Sequence, residues 1–225
     1  MPLIPKRNLP LLLSAALAGS ALITPALAQQ ADMSFFVTSR GLGDGANLGG
    51  LAGADAHCQA LASAAGATRT DWRAYLSTVD IRGDQSANIS ARDRIGTGPW
   101  QNAKGVTIAA SVDELHSDAN KLTRESALDE NGRPIMGRTD MMNMHDILTG
   151  SDSAGHGAIA GGDTTCGNWT SNGEGSAVVG HSDRLGLADT RHMKSWVAAH
   201  GTRGCSQEAL KSTGGAGLFY CFAAK

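Results

Sequence analysis

The chain is short of aromatic residues, of charge imbalance and of compact metal-ligand motifs, and each shortage excludes something. Aromatics make up only 4% of 225 residues while glycine reaches 29, so much of the chain is expected in turns and loops rather than in long helices. Lys and Arg number 19 against 21 Asp and Glu, for a net charge of -2, and the basic residues are scattered. That balance offers no footprint for nucleic acid or another polyanion. There is no Cys-x-x-Cys and no two cysteines lie within a few residues of each other, which counts against a cysteine-held zinc ion. His-Glu-x-x-His and Gly-x-Ser-x-Gly are also missing, so neither a metalloprotease helix nor a nucleophile elbow is spelled out.

What is present starts at the N-terminus. Lys6 and Arg7 precede the apolar run "LPLLLSAALAGSALITPALA", which closes on Ala26-Leu27-Ala28. A charged start, an apolar stretch and a small-x-small ending describe a secretory signal over residues 1–28. An uncleaved anchor is the rival reading, disfavoured by Pro10, Pro25 and the Ala-x-Ala ending. No other segment is apolar enough to span a bilayer, so no membrane span is expected after cleavage. The remaining residues, 32–225, are expected to form one α+β domain in the periplasm or outside the cell.

Phe35-Phe36-Val37-Thr38 reads as a strand. Leu51, Ala54, Cys58, Leu61 and Ala65 recur at steps of three and four, one apolar face of a helix that Gly66 ends, with Cys58 facing the core. "WRAYLSTV", Trp72 to Val79, has strand character, and Val106 and Ile108 alternate with polar neighbours as in a half-buried strand. Ser111 and Glu114 have capping-box spacing before a short helix. From about Glu125 to Arg191 the chain shows no sustained period, which in a compact domain suggests a functional loop region. "KSWVAAH" and "GLFYCFAA" read as strands, with Phe219, Cys221 and Ala223 on one face and Tyr220 and Phe222 on the other.

Gly41-Leu42-Gly43-Asp44-Gly45-Ala46 nearly spells a dinucleotide-binding turn. The helix nevertheless begins several residues too late, and no acidic residue on a second strand follows at the required distance. A tight connection from first strand to first helix explains these glycines better.

Four cysteines, Cys58, Cys166, Cys205 and Cys221, remain in an exported chain, and an even count there implies two disulfides in one of three pairings. The order of parts is an N-terminal strand, a helix with the first cysteine, a long irregular middle, and strands carrying the other cysteines. Along it run the phrases "ANLGGLAGADAHCQALA", "ARDRIGTGPWQNAKG", "MHDILTGS", "TTCGNWTS", "GHSDR" and "GGAGLFYCFA". Together, over nearly the whole mature chain, they resemble a family of exported bacterial lectin-like proteins with a C-type-lectin-like fold of the endostatin branch. The resemblance implies mixed short antiparallel strands, one or two helices, long loops, and nested disulfides Cys58–Cys221 and Cys166–Cys205.

The resemblance also implies a non-catalytic binding module whose partner is a carbohydrate or a surface protein. Calcium-dependent lectins of this fold hold the ion with a Glu-Pro-Asn or Gln-Pro-Asp loop and a Trp-Asn-Asp strand. Neither triplet occurs, and Val197 and Ala198 follow Trp196 where oxygen ligands belong, so no metal and no cofactor is expected. The ligand-binding candidates are Asn168, Trp169, Glu174, His181, Asp183 and Arg184, with Trp169 weighed as a core ring first and as a sugar-stacking ring second. A catalytic reading would set His181 or His192 beside a carboxylate and Ser182 or Ser195, or use His and Asp to hold zinc.

Overall fold

The structure, a computed structural model, describes residues 1, 32–80, 82–157 and 162–224; the signal segment expected over 1–28 lies outside them apart from Met1. The chain is a mixed α+β protein. Its strands are β1 (Phe35–Val37), β2 (Trp72–Ala74), β3 (Trp100–Gln101), β4 (Thr107–Ala109), β5 (Asp146–Leu148), β6 (Val178–His181), β7 (His200–Gly201) and β8 (Gly215–Ala223). Among the described residues the α-helical segments are α1 (Gly50–Ala64), α2 (Ala91–Arg94), α3 (Val112–Leu115), α4 (Cys166–Trp169) and α5 (Gln207–Thr213), with a 3-10 turn at Gln85–Ala87. Only α1 and α5 exceed one turn.

β8 organises the sheet, whose order is β1-β8-β5-β6-β7 with β2 also paired to β8. Its C-terminal half runs antiparallel between β1 and β2 (Phe36↔Cys221, Ala74↔Cys221), while Leu218 and Phe219 pair in parallel with Ile147 and Leu148 of β5. The expected alternation holds on this strand. Phe219, Cys221 and Ala223 join a core with Cys58 and Leu61 of α1 on one face, and Leu218, Tyr220 and Phe222 pack with Phe35, Trp100 and Trp196 on the other. Each large side chain buried there contributes about 1.5–3 kcal/mol relative to exposure. β8 is therefore packed with apolar groups on both faces.

Helix α1 presents Ala54, Cys58, Leu61 and Ala62 to that core, as its spacing predicts. Both disulfides are present in the nested pairing: Cys58–Cys221 clamps α1 to β8, and Cys166–Cys205 joins α4 to the turn before α5. Ser111 caps α3 by accepting from the Glu114 amide, while Glu114 reaches back to the Ala110 amide, one residue earlier than the reciprocal box requires.

Three expectations need correction. Val106 is 46% exposed and lies in the β3–β4 turn, where its amide and that of Lys104 donate to the Asn102 side chain; only Ile108 is buried. "KSWVAAH" is strand only from His200, because Ser195 and Ala199 bond β6 through isolated contacts to His181 and Val179 that never extend into a ladder. The tract from Glu125 to Arg191 is not wholly irregular, since it holds β5 and β6, paired to each other and too short to give a detectable period.

α4 is one turn of left-handed backbone: Cys166, Gly167, Asn168 and Trp169 all have positive φ, between 52° and 68°. Each non-glycine residue there costs about 1–2 kcal/mol. The turn persists because its surroundings over-determine it. Cys166 is held by its disulfide, Asn168 Nδ2 donates to the Val79 carbonyl while its Oδ1 accepts from the Val79 amide, and Trp169 Nε1 donates to the Ser77 carbonyl at 2.7 Å.

The glycine loop of residues 41–46 is a structural connection. The Ala46 amide donates to the Cys205 carbonyl, and the Leu48 amide to that of Trp169. Gly45 lies at φ 60°, where a Cβ would collide with the Cys205 carbonyl. These amides are committed to the protein's own backbone.

Candidate functional site

Two sites share the segment of residues 181–198, one an open cleft and the other a buried cluster. The cleft, ≈ 480 Å3, lies between the turn after α3 and the segment of residues 191–198, with Asn120, Arg184, Arg191, His192 and Ser195 among its polar walls. Arg184 donates from Nη1 to Asn120 Oδ1 and from Nε to the Lys194 carbonyl, which fixes its guanidinium against the wall. Arg191 and Asp118 stand 3.4 Å apart across the rim, both largely exposed. His116 hydrogen-bonds the Tyr75 hydroxyl at 2.6 Å, and burial lowers its pKa, so it enters the cleft wall as a neutral ring near neutrality.

The cluster sits where β5, β6 and β7 lie side by side. Asp146 opens β5 and pairs in register with His181, the last residue of β6; His200 opens β7 opposite Val179; His145 immediately precedes β5. Strand pairing therefore brings together residues up to 55 positions apart in sequence, from His145 to His200. The Nε2 atoms of His145, His181 and His200 lie 3.2, 3.4 and 3.4 Å from Asp146 Oδ1. The His145 and His181 rings stack with centroids 4.2 Å apart and planes 8° from parallel.

Each imidazole has an oxygen behind it. His145 Nδ1 is 2.8 Å from Asp183 Oδ1, His181 Nδ1 is 2.7 Å from the Met193 carbonyl, and His200 Nδ1 is 3.1 Å from the Gly201 carbonyl. Asp183 also accepts from the Arg138 and Leu185 amides. The side chains of His145, Asp146, His181 and Asp183 are at most 2% exposed, and that of His200 is 29% exposed at the rim.

Burial and charge act in opposite directions here. Burial lowers the pKa of His145, but the close approach and charge of Asp146 and the hydrogen bond and charge of Asp183 reverse this and lift it to about 9. Burial raises the Asp146 carboxyl, and His145 and His200 outweigh it, holding the group at about 2. His181 is lowered by burial and by the charge of its stacked neighbour His145. The close approaches to Asp146 fall short of hydrogen-bond alignment, so both its oxygens and His181 Nε2 are buried without a hydrogen-bond partner.

The six residues proposed from the sequence do not form one site. His181 and Asp183 belong to the buried cluster and Arg184 to the cleft. Asn168 spends its amide on Val79, and Trp169 is fully buried, its ring unavailable for stacking on a ligand. Glu174 is exposed on a loop apart from both. His145, Asp146 and His200 were absent from that set. The adjacent His145-Asp146 pair in "MHDILTGS" is a visible signal for the first two, whereas a lone histidine at position 200 carries none without the strand pairing.

No family model matches this chain, and no curated protein matches it.

Proposed function

We propose that this protein is an exported, non-catalytic binding module with a C-type-lectin-like fold, taking a hydroxyl-rich ligand, a carbohydrate, in the cleft beside Arg184 and without calcium. The observation that carries this reading is the concentration of fixed hydrogen-bonding groups along that cleft, with Asn120, Arg184, His192 and Ser195 in its walls. Sugar hydroxyls need donors and acceptors held at set positions, and the bonds from Arg184 to Asn120 and Lys194 supply that rigidity. The two disulfides and the residue phrases of the lectin-like family support the fold and the export.

All four Trp, both Tyr and all four Phe are buried, so recognition proceeds by hydrogen bonds and not by ring stacking. The same observation favours a second reading, an adhesive module for a surface protein. Met136, Met141 and Met142 are exposed on one loop, Leu185 and Leu187 on another, and the Asp183 carboxylate ties the two loops together through the Arg138 and Leu185 amides.

A glycan-array screen of the oxidised mature protein, run with calcium and again with chelator, separates these readings. Carbohydrate binding predicts signals that survive chelation and fall at least about tenfold in Arg184→Ala, a loss on the scale of one charge-assisted hydrogen bond. Silence in both buffers overturns it in favour of the protein partner.

A further inference from the structure

We infer that His145, Asp146 and His181 form a binding site for a divalent transition-metal ion of the zinc class, with His200 at its rim, independent of the ligand reading above. The protonation pattern comes first. Backbone carbonyls only accept, so the Nδ1 atoms of His181 and His200, which face the Met193 and Gly201 carbonyls, must carry the proton. Asp183 already accepts two backbone amides and faces His145 Nδ1 as a carboxylate, so that nitrogen donates as well. The Nε2 atoms of all three rings lie 3.2–3.4 Å from one carboxylate oxygen, Asp146 Oδ1.

A cation among these atoms supplies the partner that the buried Asp146 carboxylate lacks. Both Asp146 oxygens and His181 Nε2 lack any hydrogen-bond partner, although Asp146 is 1% exposed and His181 2%. Protons on His145 and His200 still leave His181 Nε2 and both Asp146 oxygens without a hydrogen-bond partner, and charging the stacked His145 and His181 rings together, 4.2 Å apart, sets like charges face to face.

A metal ion resolves the arrangement, and the spacings match one. Ligands about 2.0–2.1 Å from a tetrahedral zinc ion lie about 3.3–3.4 Å from each other. The His145 and His181 edges that meet at Asp146 Oδ1 measure 3.2 and 3.4 Å. The ligand atoms of His145, Asp146 and His181 all lie within 4.8 Å of one another.

Two imidazoles and one carboxylate, with a third imidazole at the rim, favour zinc, cobalt, nickel or copper over calcium or magnesium, which require oxygen. Asp183 and the Met193 and Gly201 carbonyls behind the rings are the outer partners such sites use to orient their histidines. The divalent charge balances the two buried carboxylates, Asp146 and Asp183. Three protein ligands hold the ion at the β5-β6 end of the sheet and leave a fourth position on the side of His200. His200, partly exposed at the rim, marks the entry path for the ion.

The test is metal titration of the untagged, oxidised mature protein after chelator treatment, with zinc followed by calorimetry and cobalt by its visible absorption. We expect one zinc per chain, the intense visible band of tetrahedral cobalt, a rise in melting temperature with zinc and none with calcium or magnesium. His181→Ala removes a ligand and lowers zinc affinity at least about tenfold, as does Asp183→Asn behind His145, where outer partners are worth roughly 10–100-fold. Absence of saturable zinc and cobalt binding overturns the assignment. So does a pale octahedral cobalt spectrum, or affinity unchanged in both variants, which would place the ion on other histidines such as His156 or His192.

Discussion

The two disulfides close loops of very different length, and that difference makes a quantitative prediction. The Cys58–Cys221 bond spans 163 residues and Cys166–Cys205 spans 39. In the chain-entropy treatment their removal costs about 5 and about 4 kcal/mol, a difference of about 1.3 kcal/mol from the logarithm of the length ratio. Losses of packing largely cancel, because all four cysteines are fully buried in the same core. Two local effects remain. Alanine at position 58 recovers about 0.6 kcal/mol of helix propensity inside α1, while alanine at position 166 inherits the same positive φ that cysteine already bears. The expected order is therefore a loss larger by roughly 0.5–1 kcal/mol for Cys58→Ala/Cys221→Ala than for Cys166→Ala/Cys205→Ala. Urea unfolding of both oxidised double variants measures it, and the m-value should rise more in the first as its unfolded chain expands. If the short-loop variant loses more stability, loop closure does not set the order, and the clamp that Cys166–Cys205 places on the left-handed turn α4 outweighs it.

Trp169→Phe tests that turn directly: it removes the indole donor to the buried Ser77 carbonyl and should cost about 1–3 kcal/mol in urea unfolding while leaving glycan binding unchanged. A loss of binding at preserved stability would return Trp169 to the ligand site. Asp140 is held below its ordinary value of 3.8 by Arg124 and by the Gly137 amide. A carboxyl lowered in the fold stabilises it above the unfolded value and loses that contribution as pH falls through the folded value. Asp140→Asn should thus lower the urea midpoint near neutrality and converge with the unaltered protein in acid; a constant difference across that range would contradict the assignment.

Local pattern was enough for the parts of the chain whose neighbours lie close in sequence. The three- and four-residue steps of α1 put Cys58 in the core, alternation along β8 divided Phe219 and Cys221 from Tyr220 and Phe222, and the spacing of Ser111 and Glu114 marked the start of α3. Each depends only on helical or strand geometry, which repeats over a few residues. Strands of two to four residues, such as β5, β6 and β7, are too short to show a period, so the sequence left their tract unassigned. Tertiary structure alone decided that His145, Asp146, His181 and His200 converge, because register across three strands sets their separation and no spacing along the chain encodes register. It also decided that Trp169 and Asn168 brace a strained turn while Arg184 reaches the cleft, since the direction of each side chain follows from backbone angles and partners contributed by distant segments.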